Sequence, residues 1–129
     1  MAKVFDHIDW NLQIRAKEKR EAEAILKNFG TAAGATIRTI SLEIGWKSDS
    51  LFEAKLIAPF NVEEPSQAIF RLLLMMREVA TGWQIKGPID YEGGLWLFGG
   101  LAAVPQARFL VAGIEWANVE MRNFPMVRK

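Results

Sequence analysis

Cysteine is absent from this chain, and histidine and tyrosine each occur once. The missing thiols exclude disulfides, thiolate metal sites and a cysteine nucleophile, and they fit a reducing compartment. A single histidine, His7, leaves zinc no ligand set without long-range convergence, and it leaves serine no dedicated base. Ser41, Ser48, Ser50 and Ser66 stand outside any nucleophile-elbow pattern. Charge of one sign is also lacking. Sixteen Lys and Arg against fifteen Asp and Glu leave a net charge of +1. Dedicated nucleic-acid binders carry a strong basic excess, so no nucleic-acid partner is expected. Long apolar runs are missing too. Leu72 to Met76 is far short of a membrane span, and Met1 to Asp6 has no secretory apolar core. The expectation is a soluble, cytoplasmic protein that does not engage a membrane.

What is present is an ordinary globular composition over 129 residues, half of them apolar and 24% charged. That length suits one domain spanning 1–129, with 122–129 expected as a loosely held tail. Ile8, Trp10, Leu12 and Ile14 alternate with polar residues, which predicts a half-buried strand over His7 to Arg15. The period then changes. Ala22, Ile25, Leu26 and Phe29 mark an amphipathic helix from Lys17, with Gly30 placed to stop it. Ile40, Leu42, Ile44 and Trp46 form a second alternating strand, and a bulge near Arg38 and Thr39 explains why Ile37 breaks parity. Phe52, Ala54, Leu56 and Ala58 form a third, ended by Pro59. A second helix starts at Glu64 and Pro65 and buries Ile69, Leu72, Leu73, Met76 and Ala80. Trp83 to Ile85, Leu95 to Phe98 and Arg108 to Ala117 supply three more strands. The order predicts an α+β fold, a ferredoxin-like βαββαβ antiparallel sheet with two helices on one face, extended by two C-terminal strands.

Few residues invite chemistry. His7 lies near Asp6 and Asp9, and strand alternation puts it with Asp9 at a solvent-exposed strand end. Asp90, Tyr91 and Glu92 lack the spacing of a calcium loop and read as a polar turn. Gly93–Gly94 and Gly99–Gly100 open no helix and precede no Lys-Ser/Thr, so they read as turns with positive φ rather than a phosphate loop. Lys and Arg around the first helix are interleaved with Glu18, Glu21 and Glu23, the pattern of a solvated face. Trp10 and Trp46 are the aromatics that a single-stranded RNA surface would use. The expectation is no enzyme, no metal and no cofactor.

The second helix is the anomaly. Phe70 and Leu74 lie well round from its core stripe and Met75 flanks the other side, so this helix needs cover beyond one sheet. Leu95 to Phe98, apolar on both faces, must be central or meet a partner, and Leu51 and Ile57 add to the outer face.

The run from Trp83 to Pro88, then Tyr91 to Phe98, then Gly113 to Ala117 resembles the small bacterial immunity proteins that pair with polymorphic or contact-dependent toxins, over residues 83–118. The resemblance implies binding to a cognate toxin domain and occlusion of its active site. Family members that neutralise basic nucleases are markedly acidic and this chain is not, which argues against a nuclease target. No site residue carries over. From side-chain chemistry, the expected contacts are Trp46, Asp49, Asp90, Tyr91 and Glu92, aromatic anchors beside carboxylates, with Phe70, Leu74 and Met75 as a further interface that could join two copies. The alternative is a small ferredoxin-like dimer that binds or converts a small molecule between sheet and helix, using His7, Asp9 and Arg71.

Overall fold

A computed structural model describes residues 3–34, 36–45, 50–62, 64–91, 95–122 and 124–125, and the backbone alone at 3–6, 90–91, 95–96, 122 and 124–125. Strand β1 spans Lys3–Arg15, and its alternation does what period two demands: Ile8, Trp10, Leu12 and Ile14 are buried on one face. Helix α1, Lys19–Ala33, covers that face. It runs past Gly30 because its buried stripe continues through Ala22, Leu26, Phe29 and Ala33. Gly34 ends it instead, at φ 69°, with its N–H donating to the carbonyls of Gly30 and Thr31.

Strand β2, Arg38–Ile44, and strand β3, Leu51–Val62, form the expected antiparallel hairpin. The expected bulge is present, with the register slipping between Thr39 and Ser41. Strand β3 does not stop at Pro59. Its pairing with β2 reaches only to Ile57, so Pro59 sits where one flank of the strand is unpaired among the described residues and its missing N–H costs nothing. Helix α2, Pro65–Val79, begins with proline in its first turn, as predicted.

Beyond α2 the path departs from the ferredoxin expectation. Strand β4, Ala80–Thr81, is a two-residue strand that pairs with β7, Arg108–Phe109, outside the main sheet. Strand β5, Gln84–Tyr91, goes to the far edge, and β6, Leu95–Ala103, and β8, Ile114–Arg122, return from it. The antiparallel sheet therefore runs β2-β3-β1-β8-β6-β5, and β9, Phe124–Pro125, also pairs with the start of β1. The place beside β1 that a ferredoxin-like fold gives to the strand after α2 is held here by β8. The class stays α+β with helices on one face, but the extra strands are built into the sheet rather than appended. Part of the tail expected to be loose is paired in β9; residues 123 and 126–129 lie outside the described residues.

Both helices share one side. Trp10 meets Phe29 of α1 edge-on at 4.8 Å, and the Trp10 row crosses Val119 to Gly100, where Met76 of α2 lies. Gly99 and Gly100 are therefore not turn residues; they lie inside β6 and neither has positive φ. Each permits a close approach. A Cβ on Gly100 would come within 2.6 Å of Met76 Cε and 3.2 Å of Trp83, and a Cβ on Gly99 would strike the carbonyl of Val119. Trp83 is not in a strand. Its indole N–H donates at 2.9 Å to the carbonyls of both Met76 and Ala80, closing the C-terminal end of α2. No described helix is long and apolar enough to cross a membrane.

Candidate functional site

Helix α2 buries Ala68, Leu72, Met76 and Val79. That stripe is rotated from the predicted one: Leu73, expected inside, lies outside. Its exposure is 39%, beside Phe70 at 62% and Leu74 at 37%. Spacings of three and four residues put these side chains on one patch on the side away from the sheet. Met75 does not belong to it, being half-buried against the core. Arg77 and Glu78, 3.5 Å apart, flank the patch, and Arg71 sits with its guanidinium 5.3 Å from the Phe60 ring.

The opposite face of the sheet carries the polar residues of β1 and β8, with Ile57 of β3 and Leu97 and Leu101 of β6 among them. Register places Gln13 between Glu53 and Trp116, Asn11 between Lys55 and Asn118, and Asp9 between Ile57 and Glu120. Lys86 reaches from β5 across the bare position of Gly99 and donates to Glu120 Oε2 at 2.7 Å and Asn118 Oδ1 at 3.1 Å. At the other end Arg15 forms a two-point fork with Glu115, Nε to Oε2 at 2.6 Å and Nη2 to Oε1 at 3.0 Å. It also donates to Ser50 Oγ at 3.2 Å. The hydrogen bond from Arg15 is the largest influence on the Glu115 carboxyl and holds it below the usual carboxylate range; burial opposes this, and the charge of Arg15 adds a smaller lowering.

His7 and Asp9 share this face, as alternation predicted, with Nε2 and Oδ2 3.6 Å apart. His7 is half-buried within β1 rather than exposed at its end, because the strand starts at Lys3. Arg71 stands on the helix layer, so the three groups named for a small-molecule site do not converge. Trp10 is wholly buried and offers no base a stacking surface. Leu51 is buried too, and Leu97 and Phe98 are buried on opposite faces of β6, which settles that strand as interior. Of the expected contact set, Trp46, Asp49 and Glu92 lie outside the described residues, as do the side chains of Asp90 and Tyr91. No group of three or more potential metal-ligating side chains occurs among the described residues.

A third feature was not visible in the sequence. Between α1 and the edge strand β2 runs an open cleft of about 880 Å³, with Leu26, Ile37 and Leu42 on its walls and Lys19, Glu23 and Lys27 at its rim. Helix α1 does not reach over the whole of β2, so Ile40 and Ile44, predicted to be buried, are 51% and 61% exposed. Comparison of the chain with family models, with curated proteins and with solved structures finds no match.

Proposed function

We propose that this chain is a non-enzymatic protein-binding module of the immunity type, acting in the bacterial cytoplasm, which binds a cognate toxin domain and occludes its active site. The observation that supports binding is the patch of Phe70, Leu73 and Leu74, three large apolar side chains held outward on a helix whose opposite side already fills the core. A phenylalanine flanked by leucines and rimmed by arginines has the make-up of an interface centre. The toxin partner rests on the resemblance over residues 83–118, and the carboxylates and aromatics at Trp46, Asp49, Asp90, Tyr91 and Glu92 extend the same contact in this reading.

The test uses the toxin domain encoded beside this gene, titrated calorimetrically with the native chain, with Phe70→Asp and with Leu74→Glu. Each variant is expected to weaken binding by about 100-fold, as loss of a central apolar anchor does. Both lie at exposed positions, so their melting temperatures stay near that of the native chain. Equal affinity of the variants and the native chain would remove α2 from the interface. No binding by the native chain would end the toxin reading.

A further inference from the structure

Strand β2 pairs with β3 on one side and with no other strand among the described residues, so its outer edge presents a row of open backbone donors and acceptors. What lies along that edge is self-complementary. Because of the bulge at Ile40, Arg38 and Glu43 share the open face of the sheet: Arg38 stands opposite Ile57 and Glu43 opposite Glu53. The second of these is a like-charge pair across the hairpin, an unfavourable arrangement, and neither carboxylate has an ion pair among the described residues. On the other face lie Thr39, Leu42 and the exposed Ile44, opposite Leu56, Ala54 and Phe52. Ile37, just before the strand, lines the cleft on that side.

We propose that two copies of this chain join edge to edge through β2, antiparallel about a two-fold axis passing between Ile40 and Ser41. This register sets Arg38 of each copy opposite Glu43 of the second copy, twice by symmetry, and brings a cation to the carboxylate that faces Glu53. It also sets Ile44 of each copy against Ile37 of the second, and Leu42 against Thr39, which covers the exposed isoleucine and closes the open side of the α1–β2 cleft. The bulge selects the partner. An extra residue throws one half of a regular strand's pairing onto the wrong face. In this register Ile40 of each copy faces Ser41 of the second copy, one on either side of the axis, so the two extra residues offset each other and the ladder stays in phase on both sides. A second copy of this chain therefore matches the edge in one unbroken register, whereas a regular strand needs the slip that β3 makes between Leu56 and Lys55.

Sedimentation equilibrium over a concentration series tests the assembly. Arg38→Glu and Glu43→Arg are each expected to raise the dimer dissociation constant by about tenfold, since each turns two attractive pairs into repulsive ones, and the double variant is expected to recover to within about threefold. Leu74→Glu leaves the dimer intact, which separates this contact from the toxin-binding face of α2. The chain has no native cysteine, so a second measurement is clean. Opposed residues in such a ladder have Cα atoms about 4.5–5.5 Å apart, within disulfide reach. Ile37→Cys and Ile44→Cys proteins should form a disulfide-linked dimer when mixed, and neither should do so alone. A native chain that stays monomeric, a dimer indifferent to charge reversal or dissolved by Leu74→Glu, a double variant no better than the singles, or no disulfide in the mixture would each overturn the proposal.

Discussion

Trp10 sits at the middle of the helix-facing side of the sheet, edge-on to Phe29 and 6.3 Å from Trp83. Its indole N–H is buried and finds no acceptor among the described residues. An unmet donor in a low-dielectric core costs about 1–3 kcal/mol, so part of what the ring contributes by packing is given back. Trp10→Phe, which removes the donor and keeps an aromatic ring, is expected to cost less than about 1.5 kcal/mol in urea unfolding, whereas Trp10→Ala should cost about 3–5 kcal/mol. Glu115 gives a contrasting case on the surface. Its carboxyl is held low by Arg15, so the ion pair contributes stability at pH above the ordinary carboxylate value and loses it as pH falls through the lowered one. Glu115→Gln should therefore melt below the native chain at neutral pH and converge with it in acid. The gap is expected to stay within about 1 kcal/mol because the pair is partly solvated.

The two adjacent glycines of β6 differ in what they protect. At Gly100 the obstacle to a side chain is the flexible end of Met76, with the Trp83 ring behind it. At Gly99 it is the backbone of β8, which has no rotamer to yield. Gly100→Ala is expected to cost about 1–3 kcal/mol in thermal melts, as overpacking does. Gly99→Ala should cost more, because strand pairing itself must give. Nothing in the sequence separated these glycines from turn glycines, since backbone proximity between strands leaves no local signal. Individual elements were far more legible. The period-two run of β1 identified that strand and its inner side, and the proline at the start of α2 identified where that helix begins. In α2 the outcome was mixed: with Leu72, Leu73 and Leu74 in succession, apolarity alone does not fix the helix phase. The stripe that packs uses Ala68 and Val79, small residues that let the helix sit close, and turns Leu73 outward.

Strand order was the least legible property. Alternation tells which side of a strand is buried, not which strand lies beside it, and both the ferredoxin-like order and the observed one satisfy the same pattern. What decides is the route after α2, where a two-residue strand diverts to β7 and leaves the flank of β1 for β8. The edge at β2 was missed for a related reason. Ile40, Ile44 and Leu42 look like a buried face, and only the reach of α1 shows which of them lacks cover. The candidate contacts divided in the same way: the outward turn of Phe70 and Leu74 was readable from the helix period, whereas the Lys86–Glu120 and Arg15–Glu115 bridges join residues far apart in the chain and could not be.

Strand β1, near the start of the chain, is flanked by β3 on one side and by β8, Ile114–Arg122, on the other. During synthesis the helices and the β2–β3 hairpin can gather around β1 early, but its second flank stays open until Ile114–Arg122 has left the ribosome. Until then a strand with a wholly apolar inner face waits with one hydrogen-bonding edge bare. The nascent protein is thus most vulnerable to misassociation while Ile114–Arg122 is still to come, and that strand acts as the closing stitch.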